Sequence, residues 1–181
     1  MKKLCFAFCG AFYEHKQALS CLQDLQAEYE ILPAVSSCVL EKSKELLNGL
    51  ECSTCKKVVC SMEQAEQIFK NFESDCLVVA PCTGNTLAKI ANGISNETIP
   101  MLAKFHMRNN KPIIFAIATN DALGLNMFNL AKLINQKNVF FVPFKQDDPK
   151  NKPKSLKSDL SLLKQTIKDA LCNVQTQPII L

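Results

Sequence analysis

The chain alternates short apolar runs with amphipathic stretches along its length. Continuous apolar runs predict strands that are covered on both faces, and apolar residues at helical spacing predict helices packed against them. The predicted strands span 3–9, 29–35, 76–80, 112–118 and 139–143. The predicted helices span 14–27, 41–50, 62–72, 83–91, 100–109, 123–135 and 158–172.

This alternation predicts an α/β protein, because strands joined through helices form a parallel sheet with helices on both faces. The expected architecture is a single-domain, Rossmann-like three-layer sandwich with a mostly parallel sheet. The 181 residues suit one domain spanning 1–181. Within it, the lysine-rich, proline-containing segment 145–157 is predicted to be a polar loop, and 158–181 a C-terminal helix and short apolar tail.

Composition narrows the classes of partner. Lys and Arg total 21 against 17 Asp and Glu, and much of that small excess lies in 145–157. With no Trp and two Tyr, the chain lacks a base-stacking platform, so no nucleic-acid partner is expected. No apolar run reaches the roughly 18 residues of a membrane helix, and a buried first strand explains the apolar start better than a signal peptide does. We therefore expect a cytoplasmic protein without membrane contact.

Ten cysteines are many for this length, and a cytoplasmic location predicts that they stay reduced. Cys52 and Cys55 have the spacing of half a zinc site, but no second pair or nearby histidine completes it, so no metal is predicted. The two histidines, His15 and His106, fall within predicted helices and are interpreted as surface positions, although His15 lies just past the Gly10 loop and could reach the site.

Candidate binding residues follow the strands, because open α/β sheets bind ligands beyond the carboxyl ends of their strands. Gly10 and Ala11 follow the first strand, where a glycine lets backbone amides face a phosphate at a helix start. Close packing would also explain a single glycine at this point. Ser36 and Ser37 follow the second strand and offer hydroxyl donors to the same phosphate, or else cap a helix.

The most informative segment follows the central strand and contains Pro81, Thr83, Gly84, Asn85 and Thr86. Small and hydroxyl residues let a backbone approach a ligand closely. The amide of Asn85 both donates and accepts, which suits the edge of a heterocycle such as a flavin ring. Helix capping would account for the threonines, but not for the proline, glycine and asparagine among them.

Asn120 and Asp121 follow the next strand, at a further carboxyl end. Helix capping and ligand contact explain this pair equally well. We take Asn120 as the candidate ligand contact here, and the residues by themselves indicate no catalytic group.

Segment 81–93 resembles the signature segment of a flavoprotein family that includes cysteine decarboxylases and prenyltransferases binding flavin mononucleotide (FMN). The resemblance implies a flavoprotein-type fold, with FMN as the expected cofactor and the candidate residues after the strands as its contacts. Related flavoproteins build their sites between subunits, so the resemblance also implies a homo-oligomer.

Segments 107–112, 119–126, 138–144, 146–149 and 175–179 resemble one branch of this family, the B subunit of an oxidoreductase of spore-forming bacteria. The resemblance implies oxidation of dihydrodipicolinate, a small dicarboxylate, to dipicolinate in the mother cell during sporulation. It also implies a partner, the A subunit of the same enzyme, that carries NADP. The absence of a G-x-G-x-x-G motif from this chain agrees with that division of labour.

Two alternatives stand beside this hypothesis. The first is an FMN-dependent decarboxylase or flavin prenyltransferase. The decarboxylase branch uses a histidine before the central strand, and residues 38–75 contain none, which argues against peptidyl-cysteine decarboxylation. The second is a non-catalytic subunit with a flavin-binding fold that stabilises or activates a catalytic partner.

Overall fold

The computed structural model describes residues 1–71 and 74–181. In this part of the chain, a seven-stranded sheet contains β1 (Lys2–Phe8), β2 (Tyr29–Val35), β3 (Cys76–Cys82), β4 (Ile113–Thr119), β5 (Val139–Phe141), β6 (Phe144–Asp148) and β7 (Lys152–Ser158). The strand order is β2-β1-β3-β4-β7-β6, and β5 pairs with β4. The pairs among β1 to β5 are parallel, whereas β7 is antiparallel to both β4 and β6. The predicted α/β fold with a mostly parallel sheet is confirmed.

Helices cover both faces of the sheet. They are α1 (His15–Leu25), α2 (Ser37–Lys42), α3 (Lys44–Thr54), α4 (Met62–Asn71), α5 (Gly84–Ala91), α6 (Thr98–Arg108), α7 (Asn126–Ile134) and α8 (Leu163–Ala170). The apolar sides of α1, α3 and α8 form one core layer, and those of α4, α5, α6 and α7 form the other. Among the described residues, no helix combines the length and apolar character needed to cross a membrane.

The strands lie between these two layers, and their residues alternate from one layer to the other. In β1, Leu4, Phe6 and Phe8 face one layer, while Cys5 and Ala7 face the opposite one. All five side chains are buried, so the strand reads as a continuous apolar run. Burial raises the pKa of Cys5 to about 12, as expected for a thiol that packs as a small hydrophobic group.

Segment 145–157, predicted as a polar loop, instead forms most of the β6–β7 hairpin. Asp148 closes the turn by accepting hydrogen bonds from the backbone and side-chain nitrogens of Asn151, at 3.0 and 2.9 Å. Phe144 and Leu156 are buried on the inner side, whereas Lys145 and Gln146 are exposed. The outward-facing side chains are polar, so the sequence of the hairpin resembles that of a loop and contains no apolar run that would predict its strands.

Helix ends also differ from the prediction. The helix predicted at 41–50 is two helices, because the backbone at Ser43 leaves helical geometry (φ −137°, ψ 66°) and separates α2 from α3. The helix predicted from residue 123 begins at Asn126, since the amide of Leu123 donates to the Lys154 carbonyl of the hairpin. The helix predicted from residue 158 begins at Leu163, and Phe72, predicted to end the helix from residue 62, lies outside the described residues.

Part of each outer strand is paired by residues outside the sheet. At β2, Val59 pairs with the backbone of Pro33 and Val35. At β6, the C-terminal residues Ile179 and Leu181 exchange backbone hydrogen bonds with Phe144, both at 3.0 Å. At β5, the side-chain amide of Gln175 accepts from the Phe141 amide at 2.8 Å and donates to its carbonyl at 2.7 Å, as a neighbouring strand would.

The hydroxyl of Ser158 anchors the hairpin to the parallel strands. It accepts a hydrogen bond from the Ile117 amide at 2.8 Å and donates to the Val142 carbonyl at 3.0 Å, and the residue is 2% exposed. We predict that Ser158→Ala lowers the free energy of unfolding by about 2–4 kcal/mol, because two buried backbone groups lose their partner. Urea denaturation measures the change.

Ser155→Ala is the matched control in the same strand. The Ser155 hydroxyl is buried and finds no hydrogen-bond partner among the described residues, so its removal should leave stability unchanged or increase it. Equal unfolding free energies for the two variants would contradict the anchoring role of Ser158.

Candidate ligand-binding site

A pocket of about 340 Å³ opens at the carboxyl edge of the sheet, beyond β1, β3 and β4. Its walls are the turns that follow these three adjacent strands, together with the first residue of α7. The lining residues are Gly10, Ala11, Tyr13, Thr83, Gly84, Asn85, Ala118, Thr119, Asn120, Asp121 and Asn126. The pocket therefore lies where an open α/β sheet normally binds its ligand.

The turn after β3 forms the middle of the pocket. Thr83 occupies the N-cap position of α5 with extended backbone, and its hydroxyl donates to Oγ1 of Thr86 at 3.3 Å instead of capping the helix. The backbone amide of Cys9 donates to the Pro81 carbonyl at 3.2 Å. This bond joins the first and central turns, so Pro81 supports the site without lining the pocket.

Gly84 is the point of closest approach between the central turn and the turn after β4. A Cβ atom at this position would lie 2.6 Å from Nδ2 of Asn126, 2.7 Å from Oγ1 of Thr119 and 2.9 Å from Oδ1 of Asp121. These separations are too short for a carbon atom, so only glycine allows the start of α5 to pack here.

The polar groups that meet Gly84 hold one another in place. The Thr119 hydroxyl donates to Oδ1 of Asp121 at 2.6 Å, and the Asn126 amide donates to Oδ2 at 2.8 Å. Thr119 and Asn126 are buried, whereas Asp121 is exposed to the pocket. Buried donors thus hold both carboxylate oxygens of Asp121 in place at the pocket wall.

A buried polar cluster supports the central turn from below. The Cys9 thiol donates to Oγ1 of Thr86 at 3.3 Å, and both residues are buried. Burial raises the pKa of the Cys9 thiol, but hydrogen bonding with Cys82, Thr86 and Thr83 outweighs burial and places this pKa below its ordinary value. Burial and the bond to Cys9 raise the pKa of Cys82. Thr86 therefore belongs to the support of the turn rather than to the pocket lining.

The serines after β2 lie beside the first turn. The backbone amide of Ser36 donates to the Phe8 carbonyl at 3.0 Å, while its buried hydroxyl has no hydrogen-bond partner among the described residues. A Cβ atom on Gly10 would lie 3.2 Å from the Cys38 sulfur, which shows how closely this turn packs on α2. Ser37 is exposed at the first position of α2.

Two buried side chains fix the first turn. Nε2 of His15 donates to the Cys9 carbonyl at 2.7 Å, and burial lowers the pKa of this histidine. Glu14 is 4% exposed and forms an ion pair of 2.7 Å with Lys157 of β7. Tyr13 lies in the same turn and lines the pocket. Burial raises the pKa of the Tyr13 hydroxyl, and the negative charges of Glu14 and Asp147 raise it further.

The interpretation of both histidines as surface residues is wrong. His15 is buried under the first turn, and His106 is almost fully buried in α6. Nδ1 of His106 donates to the Leu102 carbonyl at 2.8 Å, and burial lowers its pKa to about 4. A histidine that bonds the backbone of its own helix through one ring nitrogen packs within an amphipathic helix without interrupting its apolar pattern.

Six of the ten predicted site residues line the pocket: Gly10, Ala11, Thr83, Gly84, Asn85 and Asn120. The other four, Ser36, Ser37, Pro81 and Thr86, lie beside or beneath it. Whether these residues bind a ligand stays a prediction. Sequence reasoning missed Tyr13, Thr119 and Asn126, because their place in the pocket depends on how distant turns pack together. Asp121 follows the same strand as Asn120, so the sequence placed both residues at this strand end.

Charge is sparse in the pocket. Tyr13 and Asp121 are the ionisable residues of its described lining, which contains no lysine, arginine or histidine. Within residues 1–71 and 74–181, no group of three or more His, Cys, Asp or Glu side chains could hold a metal ion. Cys52 and Cys55 are exposed at the end of α3. The site is thus built mainly from backbone amides, hydroxyls and side-chain amides around one carboxylate.

A fold of this topology with such a pocket is that of a flavoprotein, and the family model for flavoproteins matches residues 10–159. The chain therefore belongs to the flavoprotein family. The structure of Burkholderia xenovorans DmrB in complex with FMN has a TM-score of 0.71 at 14% identity, covering 94% of this chain and 96% of that one. At this identity, the likeness to DmrB shows a shared fold alone.

Within the family, the chain is most informatively compared with the B subunit of dipicolinate synthase. It is 37% identical to that protein from Bacillus subtilis (strain 168) over 186 residues, which cover 99% of this chain and 93% of the relative. The crystal structure of the corresponding protein from Bacillus halodurans C has a TM-score of 0.92 at 35% identity, covering 99% and 96% of the two chains. The predicted resemblance to this branch is confirmed.

The close approach at Gly84 gives a direct test of the site. We predict that Gly84→Ala lowers the free energy of unfolding by about 1–3 kcal/mol, because the added methyl group overpacks the cluster around Asp121. The displaced turn should also weaken any ligand bound in the pocket. Thermal unfolding of the purified protein, with and without added FMN, measures both effects.

Gly49→Ala is the matched control. Gly49 lies inside α3, and among the described residues a Cβ atom there would meet only Cδ2 of Leu19, at 3.9 Å. This substitution should stabilise the protein by about 0.5–1 kcal/mol, because alanine loses less backbone entropy in a helix. A Gly84→Ala protein as stable as Gly49→Ala would show that the contact at Gly84 does not constrain the turn.

Proposed function

We propose that this chain acts as the B subunit of a dipicolinate synthase and takes part in the oxidation of dihydrodipicolinate to dipicolinate during sporulation. The identity of 37% to the Bacillus subtilis protein, across 99% of the chain, carries this proposal. The pocket at the carboxyl edge of the sheet is the proposed place of the reaction. The corresponding location is the cytoplasm of the mother cell.

FMN is the proposed cofactor, and the residues present fit it. The Ser36 hydroxyl, which has no partner among the described residues, and the backbone amides of Gly10 and Ala11 would hold its phosphate, while Asn85 would bond the ring edge. Gly84 keeps the wall between these groups free of a side chain. When bound, FMN supplies two-electron redox chemistry beside these residues.

The substrate carries two carboxylates, and the described lining offers them neutral donors rather than a cation. Amides at the start of α5 would donate to one carboxylate. We propose that a second chain supplies the positive charge that neutralises the carboxylates of the substrate. The A subunit, as the NADP-carrying partner, meets this requirement, and so does a second copy of this chain in a homo-oligomer. The distant fold relative DmrB is described as a cubic protein cage, which supports an oligomer.

A decarboxylase or prenyltransferase role is the weaker alternative. It rests on the shared turn 81–93 and on the family fold, whereas the similarity to the dipicolinate synthase relative extends over the whole chain. A non-catalytic role beside the A subunit fits the same comparison. Reconstitution of the complex distinguishes the oxidoreductase role from the decarboxylase or prenyltransferase role.

We predict that neither chain alone reaches the full rate of dipicolinate formation, and that mixing this chain with NADP and the A subunit restores it. The expected reason is that one chain supplies the flavin-fold pocket and the other supplies the nicotinamide site. Ultraviolet detection of the pyridine product measures the rate, with each component omitted in turn. Full activity of the A subunit without this chain would rule out a required role for the pocket.

We further predict that Asn85→Ala weakens FMN binding about tenfold or more, since two hydrogen bonds to the ring edge together contribute about 1–3 kcal/mol. Titration of the apoprotein, followed by visible absorbance, measures the dissociation constant. Asn109→Ala is the control, because the Asn109 side chain bonds its own helix, at the Phe105 carbonyl. Equal FMN affinity of both variants and the native chain would reject Asn85 as a contact.

A further inference from the structure

A row of polar side chains crosses from the outer end of α7 to the pocket. Nζ of Lys132 donates to Oδ1 of Asn92 at 2.7 Å, and Nδ2 of Asn92 donates to Oδ1 of Asn129 at 3.0 Å. Nδ2 of Asn129 donates to Oδ1 of Asn126 at 2.9 Å, and Nδ2 of Asn126 donates to Oδ2 of Asp121 at 2.8 Å. We call these five residues the amide row.

The amide row has a fixed direction. An ammonium group can only donate, so Lys132 forces Asn92 to present its carbonyl oxygen and to turn its amino group toward Asn129. The Asn92 amino group also donates to the Ala88 carbonyl at 2.8 Å, which opposes a flip of this amide. Each following amide is oriented by the one before it. The last member must therefore accept a hydrogen bond, and an ionised carboxylate is an acceptor only.

The carboxylate of Asp121 is thus fixed on two sides, with capacity left toward the pocket. Thr119 donates to Oδ1 at 2.6 Å, and the amide row donates to Oδ2. Each carboxylate oxygen can accept a further bond. Asp121 is exposed and is the one carboxylate in the described lining. The pocket accordingly presents a single preorganised proton acceptor to whatever ring it holds.

We infer that Asp121 is the base that removes a proton from the substrate ring, and that the amide row from Lys132 positions this carboxylate. The inference rests on the proposed function and assigns a role in its reaction. Aromatisation of a dihydropyridine dicarboxylate breaks two ring C–H bonds. One carbon gives a hydride, with its electron pair, to a flavin or nicotinamide acceptor, and its neighbour gives a proton to Asp121 while its bonding electrons form the new ring double bond. The base must lie within hydrogen-bond reach of that carbon, as a pocket-lining carboxylate can.

Other ionisable groups lie around Asp121. Tyr13 faces the pocket from the first turn. Lys154 of β7 lies beside the turn that follows β4, with Cδ 3.7 Å from where a Cβ on Gly124 would lie. Lys132 is connected to Asp121 through the three amides. Asp121 is the carboxylate among these groups, so a substitution at this position tests the base directly.

The experiment compares native and variant chains in complex with the A subunit, with dihydrodipicolinate as substrate, across a range of pH. Asp121→Asn keeps the size and an acceptor oxygen for Asn126 but removes the base. It should lower kcat about 100-fold or more, with KM changed little. The deuterium isotope effect at the carbon that loses the proton should rise.

Lys132→Met tests the amide row at a distance from the pocket. Loss of the ammonium group removes the positive charge and one hydrogen bond from the outer end of the amide row, so kcat should fall about tenfold while KM stays near its native value. Lys132→Arg keeps a donor and should restore most of the rate. Lys104→Met is the matched control, because Lys104 lies on α6 and bonds the Ser95 hydroxyl, away from the amide row.

Each outcome decides a different point. An active native complex whose Asp121→Asn variant keeps its rate within threefold, or shows an unchanged deuterium isotope effect, overturns the assignment of the base. A Lys132→Met variant with the native kcat overturns the positioning role of the amide row. A native complex that makes no dipicolinate rejects the proposed function, and the inference falls with it.

Discussion

The site depends on one close contact, the packing of Gly84 against the polar turn that follows β4. Because Gly84 has no side chain, the start of α5 reaches Thr119, Asp121 and Asn126, which lie far along the chain from it. That approach brings the exposed side of the central turn, with Thr83 and Asn85, into the same wall as Asn120. The parallel sheet brings the strand ends together, but the absence of one methyl group lets the turns touch.

The charge distribution follows from the same arrangement. Amides, hydroxyls and one carboxylate line the pocket, while nearby lysines form ion pairs with carboxylates outside the pocket. Lys157 neutralises the buried Glu14, and Lys89 pairs with Glu97. Such a lining can hold a polar ring but leaves a doubly negative substrate incompletely neutralised. A chain that works as one of two different subunits, as the name of its Bacillus subtilis relative indicates, can leave this task to its partner.

The fold was predictable where burial acts on both faces of an element. β2 runs from Tyr29 to Val35 as predicted, because every second residue faces a core layer and the others face the opposite layer. The hairpin was missed because its strands expose most of their side chains. At the site, the rule that ligands bind at strand ends located the turns. The amide row escaped prediction because each asparagine, read alone, resembles a helix-surface residue, and the packing of α5 on α7 brings Asn92 to Asn129 and Lys132.

The partly covered sheet edges constrain how this protein can associate. An open strand offers a ladder on which another chain can grow, leading to strand exchange or fibrous aggregation. Here Val59, Gln175 and the C-terminal residues already bond part of the backbone of β2, β5 and β6. These contacts leave less of the outer strands open to pairing with another chain, and contact between chains at the turns around the pocket would change the shape of the pocket itself.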